Sequence, residues 1–583
     1  MTSTLRRILA LILSPIAALT ARAQEMAPSG YDPSDDVLYQ IMPVAWRCSS
    51  QRSSAAAAAG PDAPIEVKHR FGDFGGMTES LDYLAGLGVT GVWMTPIFPS
   101  RAYHSYQHGA ADTVNPWFGT EAEFIAFVRA AHERKLKVYI DLVAYGISQD
   151  STWFRQALAD PAGPAAGMLA ITDDESLLKP GPAWKPKEAS DARRFQGYDF
   201  RTWTGETIGI AWWDLRRPAP RELVTSWCRK WMDPDGDGDF ADGVDGFRLD
   251  HVWGKYQSGP DGWGYNVRDF WLPWKKDLQQ VNPKVFTFAE QARWETNGID
   301  LLPAHDAALA KPLLFAIRDA IVEGKAEKPR AALVEALKSI PDGRTLMGSI
   351  GDHDVDRIAS SVSPKSDGRG GDAGNLEKAR LAAAVLMVMP MPPIIYFGDE
   401  IGMLGRAGNY GSDANDIPRR EPFKWTAVDA AGNPSSPMTD YWRAHKARGA
   451  SVIDQRYSTD NDGRSVEEQL GKAGSLLESY KALIRLRREN IALRRGDYAP
   501  IKMSQDDPAV WCFARLHEQQ KLVVAVNFSG EERTVAFKRK DAWNGGVIGP
   551  WEKTAAYKVL GTQSEATHRV TVPGWGVAVV EIE

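Results

Sequence analysis

Gly243-Val244-Asp245-Gly246-Phe247-Arg248-Leu249-Asp250 is a short apolar run that ends by presenting an arginine and a carboxylate two residues apart. Side chains alternate along a β-strand, so Arg248 and Asp250 share one face while Phe247 and Leu249 share the other. A carboxylate beside a permanently charged guanidinium stays ionised near neutral pH, as a nucleophile attacking a sugar carbon must. Alone, an Arg-x-Asp at a strand end is more often a structural ion pair. Two further β-rich runs close on acids: Val285-Phe286-Thr287-Phe288-Ala289-Glu290, and Leu346-Met347-Gly348-Ser349-Ile350-Gly351-Asp352-His353-Asp354. Asp250, Glu290 and Asp354 thus stand in order at the C-terminal ends of predicted strands, the end where parallel barrels build their active sites. The chemistry this suggests is retaining glycoside hydrolysis, which needs a nucleophilic carboxylate and a protonatable one about 5 Å apart. Asp250 is the expected nucleophile and Glu290 the expected acid/base, its pKa raised by burial or neighbouring negative charge.

From Val37 onward, short apolar strands alternate with longer helical stretches. Strands are expected at Val37–Ile41, Gly91–Met94, Val138–Leu142, Gly246–Leu249 and Phe286–Ala289, with helices at Glu121–Lys135 and Arg380–Val388. Such alternation implies a parallel sheet, and eight units in about 400 residues fit an α/β fold of the (β/α)8 TIM-barrel type. The barrel is expected over 24–495, with Ser475–Arg494 as its last helix. About a hundred residues separate Asp141 from Asp245, too many for one barrel unit, and the Pro-, Gly- and charge-rich part at about 146–209 reads as an insertion. After Gly496 the pattern changes to strands at Ala509–Leu516, Lys521–Asn527, Glu532–Phe537 and Val577–Ile582, so 496–583 is expected to be a C-terminal antiparallel β-sandwich domain. Gln51–Pro64, with its alanine run and prolines, reads as a mobile loop.

A net charge of -6 over 583 residues argues against nucleic-acid partners. Twenty-one tryptophans point to carbohydrate, because exposed indole faces stack on sugar rings. Arg6 and Arg7 precede an apolar run from Ile8 to Ala18, and Ala21-Arg22-Ala23 offers a small-x-small cleavage site. Residues 1–23 therefore read as a signal peptide, which implies an exported protein, periplasmic or secreted, with no membrane span after cleavage. Cys48, Cys228 and Cys512 make no disulfide framework or metal motif and read as buried thiols.

More of the chain bears on the three acids. Gly72-Asp73-Phe74-Gly75-Gly76, then Leu81-Asp82-Tyr83-Leu84 and Gly88-Val89-Thr90-Gly91-Val92-Trp93-Met94-Thr95-Pro96-Ile97-Phe98, are followed by Tyr103-His104-Ser105-Tyr106 and Asn115-Pro116-Trp117-Phe118-Gly119-Thr120. Ile394-Ile395-Tyr396-Phe397-Gly398-Asp399-Glu400-Ile401-Gly402-Met403 comes later. In this order, across roughly 37 to 530, these segments and those ending in Asp250, Glu290 and Asp354 resemble the α-amylase family, glycoside hydrolase family 13.

The resemblance implies a domain B inserted after the third strand. It also implies hydrolysis of α-1,4-glucosidic bonds in a maltooligosaccharide or related α-glucan substrate, of α-amylase, maltodextrinase or neopullulanase type. Alternatives are a transglycosylase or isomerase such as trehalose synthase, and an inactive sugar-binding homologue, against which the retained acids argue. By the same resemblance, Asp354 binds sugar hydroxyls, His353 hydrogen-bonds the ring, Tyr106 stacks on the cleaved sugar and Arg248 positions Asp250. Where the family reads Asp-x-Val-x-Asn-His, this chain has Asp141-Leu142-Val143-Ala144-Tyr145-Gly146. Asp141 is kept, while Tyr145 and Gly146 replace an asparagine that often ligates calcium and a histidine that contacts the sugar. Tyr145 is expected to offer an aromatic face to short substrates. Asp352 stands where asparagine is common, and His251-Val252-Trp253-Gly254 replaces a Lys-His pair common in α-amylases.

Asp233-Pro234-Asp235-Gly236-Asp237-Gly238-Asp239-Phe240-Ala241-Asp242 opens like an EF-hand loop, with acids at positions 1, 3 and 5 and glycine at 6, but has Val244 where the loop's glutamate belongs. Ca2+ held by Asp233, Asp235, Asp237, Asp239 and Asp242 is one expectation, and a solvated acidic turn is the other.

Overall fold

Eight parallel strands close on themselves: β1 (Leu38–Ile41), β2 (Gly91–Met94), β3 (Lys137–Leu142), β4 (Gly246–Val252), β5 (Phe286–Gln291), β6 (Ala307–Leu309), β7 (Thr345–Ser349) and β8 (Pro393–Tyr396). Their ring order is β1-β8-β7-β6-β5-β4-β3-β2. The computed structural model describes residues 28–52, 54, 72–172, 183–184, 194–252, 260–363, 374–428, 456–538, 557–558 and 567–581. The expected signal peptide and most of the expected loop at 51–64 lie outside them.

A parallel sheet covered on both faces needs strands without a polar side, and β2, β5 and β8 are buried at every position. Leu38, Trp93, Tyr139, Phe288 and Met347 point into the barrel and form its inner core. Phe247 and Leu249 pack outward in the larger cluster, so Arg248 and Asp250 face inward, as the alternation required. β6 is only three residues long, too short for alternation or composition to show.

The surrounding helices follow their capping and periodicity. Glu121–Glu133 starts on a Thr120/Glu123 capping box and buries Phe124, Phe127, Val128 and Ala131 at helical spacing. Leu376–Val388 is apolar nearly all round because it lies among the helices Lys311–Glu323 and Leu476–Glu489 and the strand Gly576–Glu581. The single helix expected over Ser475–Arg494 is two, Leu476–Glu489 and Ile491–Arg495, because Asn490 takes an extended conformation between them.

After β3, strands Gly146–Ser148, Thr207–Trp212, Arg194–Arg201 and Ile171–Thr172 form an antiparallel sheet beside the barrel mouth. At the other end of the chain, Asp497–Pro500, Val510–His517, Gln520–Asn527 and Gly576–Glu581 form one sheet, and Arg533–Lys538, Thr567–Val572 and Tyr557–Lys558 a second. Val510, Cys512 and Val523 face the second sheet. Trp511, Phe513 and Val524, one residue out of phase, join the barrel core, which is period-two alternation docking the sandwich on the barrel. Cys48, Cys228 and Cys512 are buried free thiols. Among the described residues no helix is long and apolar enough to cross a membrane.

Candidate active site

β4 and β5 pair in register up to Leu249 opposite Ala289, and resume with Val252 opposite Gln291. Between these points Asp250 and His251 stand against Glu290 alone, a β-bulge at the strands' C-terminal ends. His251 absorbs the irregularity with φ of +43°, a conformation costly for a non-glycine residue. One carboxylate oxygen of Asp250 lies within 4.8 Å of one of Glu290.

Arg248 is the hub beneath them, 1% exposed. Its register partner on β3 is Asp141, and its Nη1 donates to Asp141 Oδ2 at 2.7 Å and Asp250 Oδ1 at 2.9 Å. Its Nη2 donates to Glu290 Oε2. One guanidinium thus joins three buried acids, with its plane 5.1 Å from the Trp93 ring centre.

Asp354 lies in the loop after β7 and is partly open to the cleft. Arg420 Nη2 donates to it at 2.7 Å, and His353 Nε2 lies 3.2 Å away. On the far side of the imidazole, Gln40 at the end of β1 places its amide nitrogen 2.7 Å from Nδ1. A donor at Nδ1 leaves the proton on Nε2, which then points at the Tyr106 hydroxyl 2.7 Å away. Tyr106 in turn donates to Asp141 Oδ2 at 2.9 Å. A relay therefore runs from β1 through His353 and Tyr106 to β3 and Arg248.

Burial dominates the electrostatics. It pushes Asp250 up, with His251 and Arg248 only partly opposing it, and pushes Asp141 up to about 7. It pushes the His353 imidazole down to about 4, so that ring is neutral across the working range. Glu290 goes the other way from the expectation. Burial would raise it, but the Arg248, Lys311 and His251 charges hold it below the usual carboxylate range. Against burial, His353, Arg420, Lys311 and Arg248 hold Asp354 well below it. Arg248 contacts Asp250 but is shared among three acids, so it only partly offsets the effect of burial on Asp250.

Tyr145 is 2% exposed, its hydroxyl 2.8 Å from that of Tyr198 on the inserted sheet and its ring edge-on to Tyr265. Gly146 has no room for a side chain, since a Cβ there would lie 2.4 Å from Ile210 Cγ2 and 2.6 Å from the Ala211 carbonyl oxygen. The inserted strand Thr207–Trp212, paired beside it, thus occupies the space a histidine would need. The structure also brings in groups that sequence reasoning missed. Arg420 follows a 3-10 turn far along the chain, Trp294 Nε1 donates to Glu290 Oε1 at 3.1 Å, and Lys311 Nζ lies 3.3 Å from the same oxygen. The basic residues carried no spacing signal in a chain with 69 lysines and arginines.

Of the acidic loop, Asp233, Asp235 and Asp242 converge, one oxygen from each within 4.8 Å of the others. Asp237 and Asp239 do not join them; their carboxylates accept backbone N–H groups of Asp239 and Ala241 at 2.7 and 3.1 Å. Gly236 and Gly238, at φ of +74° and +81°, make the left-handed turns that fold the loop back. Asp233 Oδ1 and Asp242 Oδ1 are buried with no hydrogen-bond partner among the described residues. A hard cation with oxygen ligands fits those orphaned oxygens. The loop precedes β4, so it lies at the barrel end opposite Asp250.

The family profile described as the α-amylase catalytic domain matches residues 40–496. Alpha-amylase 3 of Dictyoglomus thermophilum is 26% identical over 471 residues, 81% of this chain and 83% of the relative. Trehalose-6-phosphate hydrolase of Bacillus subtilis is 25% identical, covering 82% of this chain and 90% of the relative. Trehalose synthase of Pimelobacter sp. is 26% identical, covering 76% and 80%. Among solved structures, an α-amylase from H. orenii superposes with a TM-score of 0.68 at 23% identity, covering 94% of this chain and 99% of that one, a likeness of fold.

Proposed function

The chain belongs to the α-amylase family of glycoside hydrolases, and from that premise we propose that it is an exported, retaining α-glycosidase cleaving α-1,4-glucosidic bonds in maltooligosaccharides or related α-glucans. The observation that carries this reading is the approach of Asp250 and Glu290, with oxygens within 4.8 Å of one another. That separation suits a double displacement, in which the two carboxyl groups stand about 5 Å apart, and leaves no room for the water an inverting enzyme places between them.

In the first step Asp250 attacks the anomeric carbon while Glu290 gives its proton to the departing glycosidic oxygen. Glu290, now a carboxylate, takes a proton from water, whose oxygen displaces Asp250 from the sugar. Asp354, held ionised beside Arg420, accepts hydrogen bonds from ring hydroxyls, and these strengthen as the ring flattens. Neutral His353, its Nε2 proton engaged by the Tyr106 hydroxyl, lines the same ring's subsite, and Tyr106 provides the stacking face. Asp141 and Arg248 fix the carboxylates from below. Tyr145 and its partner Tyr198 close the side of the sugar site where the family's histidine is missing, which favours short oligosaccharides over long chains. Export is supported by the pattern of Arg6, Arg7 and the apolar run after them.

Ca2+ fits Asp233, Asp235 and Asp242, where it would neutralise three converging carboxylates and tie the helix Pro218–Met232 to β4. It takes no part in the reaction.

Maltotriose digestion followed by proton NMR tests the reading. Maltose and glucose, with the new reducing end first in the α configuration, are expected. Intact substrate or an initial β-anomer overturns it. Trehalose or longer oligomers as main products would assign the same site to transfer.

A further inference from the structure

Lys311 is a buried lysine in an unusual place. It is 2% exposed and opens the helix Lys311–Glu323, immediately before Pro312. The positive end of a helix dipole disfavours a cation there, so nothing local favours the charge. What holds it is acidic: Nζ pairs with Asp352 in the loop after β7 and lies 3.3 Å from Glu290 Oε1. Its ammonium also sits 4.4 Å from the ring centre of Trp294, whose indole N–H donates to that same oxygen.

We propose that Lys311 is a positioning residue for Glu290, and that Asp352 is the site to which Lys311 withdraws when Glu290 takes up its proton. This rests on the reading of Glu290 as the acid/base.

The geometry carries the argument. Glu290 accepts from Arg248 on Oε2 and from Trp294 on Oε1, and the Lys311 ammonium pairs with Oε1 at 3.3 Å. All three partners are donors, so a protonated Glu290 has no acceptor for its O–H until one donor leaves. Arg248 is held by Asp141 and Asp250, and Trp294 is a rigid ring. Only Lys311 has a flexible four-carbon stem and a second carboxylate already in contact. Swinging off Oε1 while keeping its 2.5 Å bond to Asp352, it would clear Oε1 for the glycosidic oxygen, and returning it would stabilise the carboxylate that donation leaves. The charged groups facing Glu290 are Arg248, Asp250 and His251 from β4, Lys311 from its helix, and Asp352 and Asp354 from the loop after β7. Against burial, Asp352, Glu290 and Asp354 together hold the ammonium charged.

The test is infrared titration of the Glu290 carboxyl band, identified by its loss in Glu290→Gln. Lys311→Met alone would leave Asp352 as a buried unpaired charge and endanger the fold, so it is combined with Asp352→Asn. In that double variant the Glu290 titration should move up by about one pH unit, and the basic limb of kcat/KM on maltotriose should move with it. Asp352→Asn alone keeps Lys311 on Glu290 and should move both down. An unmoved titration in the double variant, or an upward move in Asp352→Asn, overturns the proposal. If the band moves as stated but the native protein cleaves no glycosidic bond, the role of Lys311 stands and the glycosidase reading fails.

Discussion

Tyr106 and His353 stack nearly parallel, their rings 7° apart in orientation with centres 5.3 Å apart, and the Tyr106 hydroxyl is 2.7 Å from His353 Nε2. The pair makes a stacked floor from two loops. The hydroxyl matters as well as the ring because it passes the imidazole's hydrogen bond on to Asp141.

Tyr106→Phe keeps the floor and removes that link. One hydrogen bond of this kind is worth about 1 kcal/mol, so kcat/KM on maltotriose should fall roughly fivefold. Tyr106→Ala also removes the stacking face and should fall further. Equal activity in the two variants would show that the ring itself contributes nothing.

Asp250→Asn and Glu290→Gln are nearly isosteric and should leave the fold unchanged while lowering turnover by about a thousandfold or more. Azide added to Glu290→Ala should restore turnover by attacking the glycosyl–Asp250 intermediate, giving an α-glycosyl azide. Turnover near that of the native protein in either purified isostere would remove that residue from the mechanism.

Adding Ca2+ after chelation should raise the melting temperature, since a ligand that binds only the native state stabilises it. Asp233→Asn combined with Asp242→Asn should abolish the response without changing kcat, because the loop lies at the barrel end away from Asp250. A melting curve indifferent to chelation, with no metal found by elemental analysis, would leave a solvated acidic turn.

His305 lies between Trp271 and Trp274, and burial, reinforced by the Lys275 cation, pushes its imidazole down to about 3. An unfolded histidine titrates near 6.5. Between those values the unfolded chain binds a proton that the native one does not, so stability falls as pH falls through that window and is unaffected above it. By pH 5 this one group should cost about 2 kcal/mol. His305→Phe keeps an aromatic ring against the tryptophans, so urea unfolding at pH 7 and pH 5 should show a smaller loss in the variant than in the native protein. Parallel losses would refute the assignment.

Restoring the family's histidine at position 146 should not raise activity. The backbone of Ala211 and the side chain of Ile210 occupy the space, so Gly146→His should lower the melting temperature, whereas kcat/KM should remain higher for maltooligosaccharides than for soluble starch. Faster attack on starch, with a ladder of mixed products, would make the altered region irrelevant to specificity.

The barrel and the catalytic acids were legible because they ride on period-two apolar strands and quoted motifs: Arg248 with Asp250, Glu290 closing β5, Asp354 after β7. What could not be read was whatever depends on pairing across strands. The bulge that sets Asp250 and His251 against Glu290 is a matter of register, and no local pattern announces it. Lys311, Trp294 and Arg420 reach the site from separate segments, so only the closed fold reveals them. The reversed titration of Glu290 has the same origin, since its sign depends on cations from β4 and from a helix more than twenty residues away in the sequence. Asp237 and Asp239 looked equivalent to their neighbours because composition does not say which carboxylates the left-handed turns at Gly236 and Gly238 bring together.

Around Arg248 the acids outnumber the cations: Asp141, Asp250, Glu290, Asp352 and Asp354 against Arg248, His251, Lys311 and Arg420. A neutral glucose ring gains little from that imbalance. A ring carrying positive charge at its anomeric centre gains a great deal, because the excess field is already in place and nothing need reorganise to meet it. The cleft is therefore selective among inhibitors by charge: a protonated imino-sugar should be held far more tightly than a neutral sugar of the same shape, and the preference should fade as the inhibitor's nitrogen loses its proton.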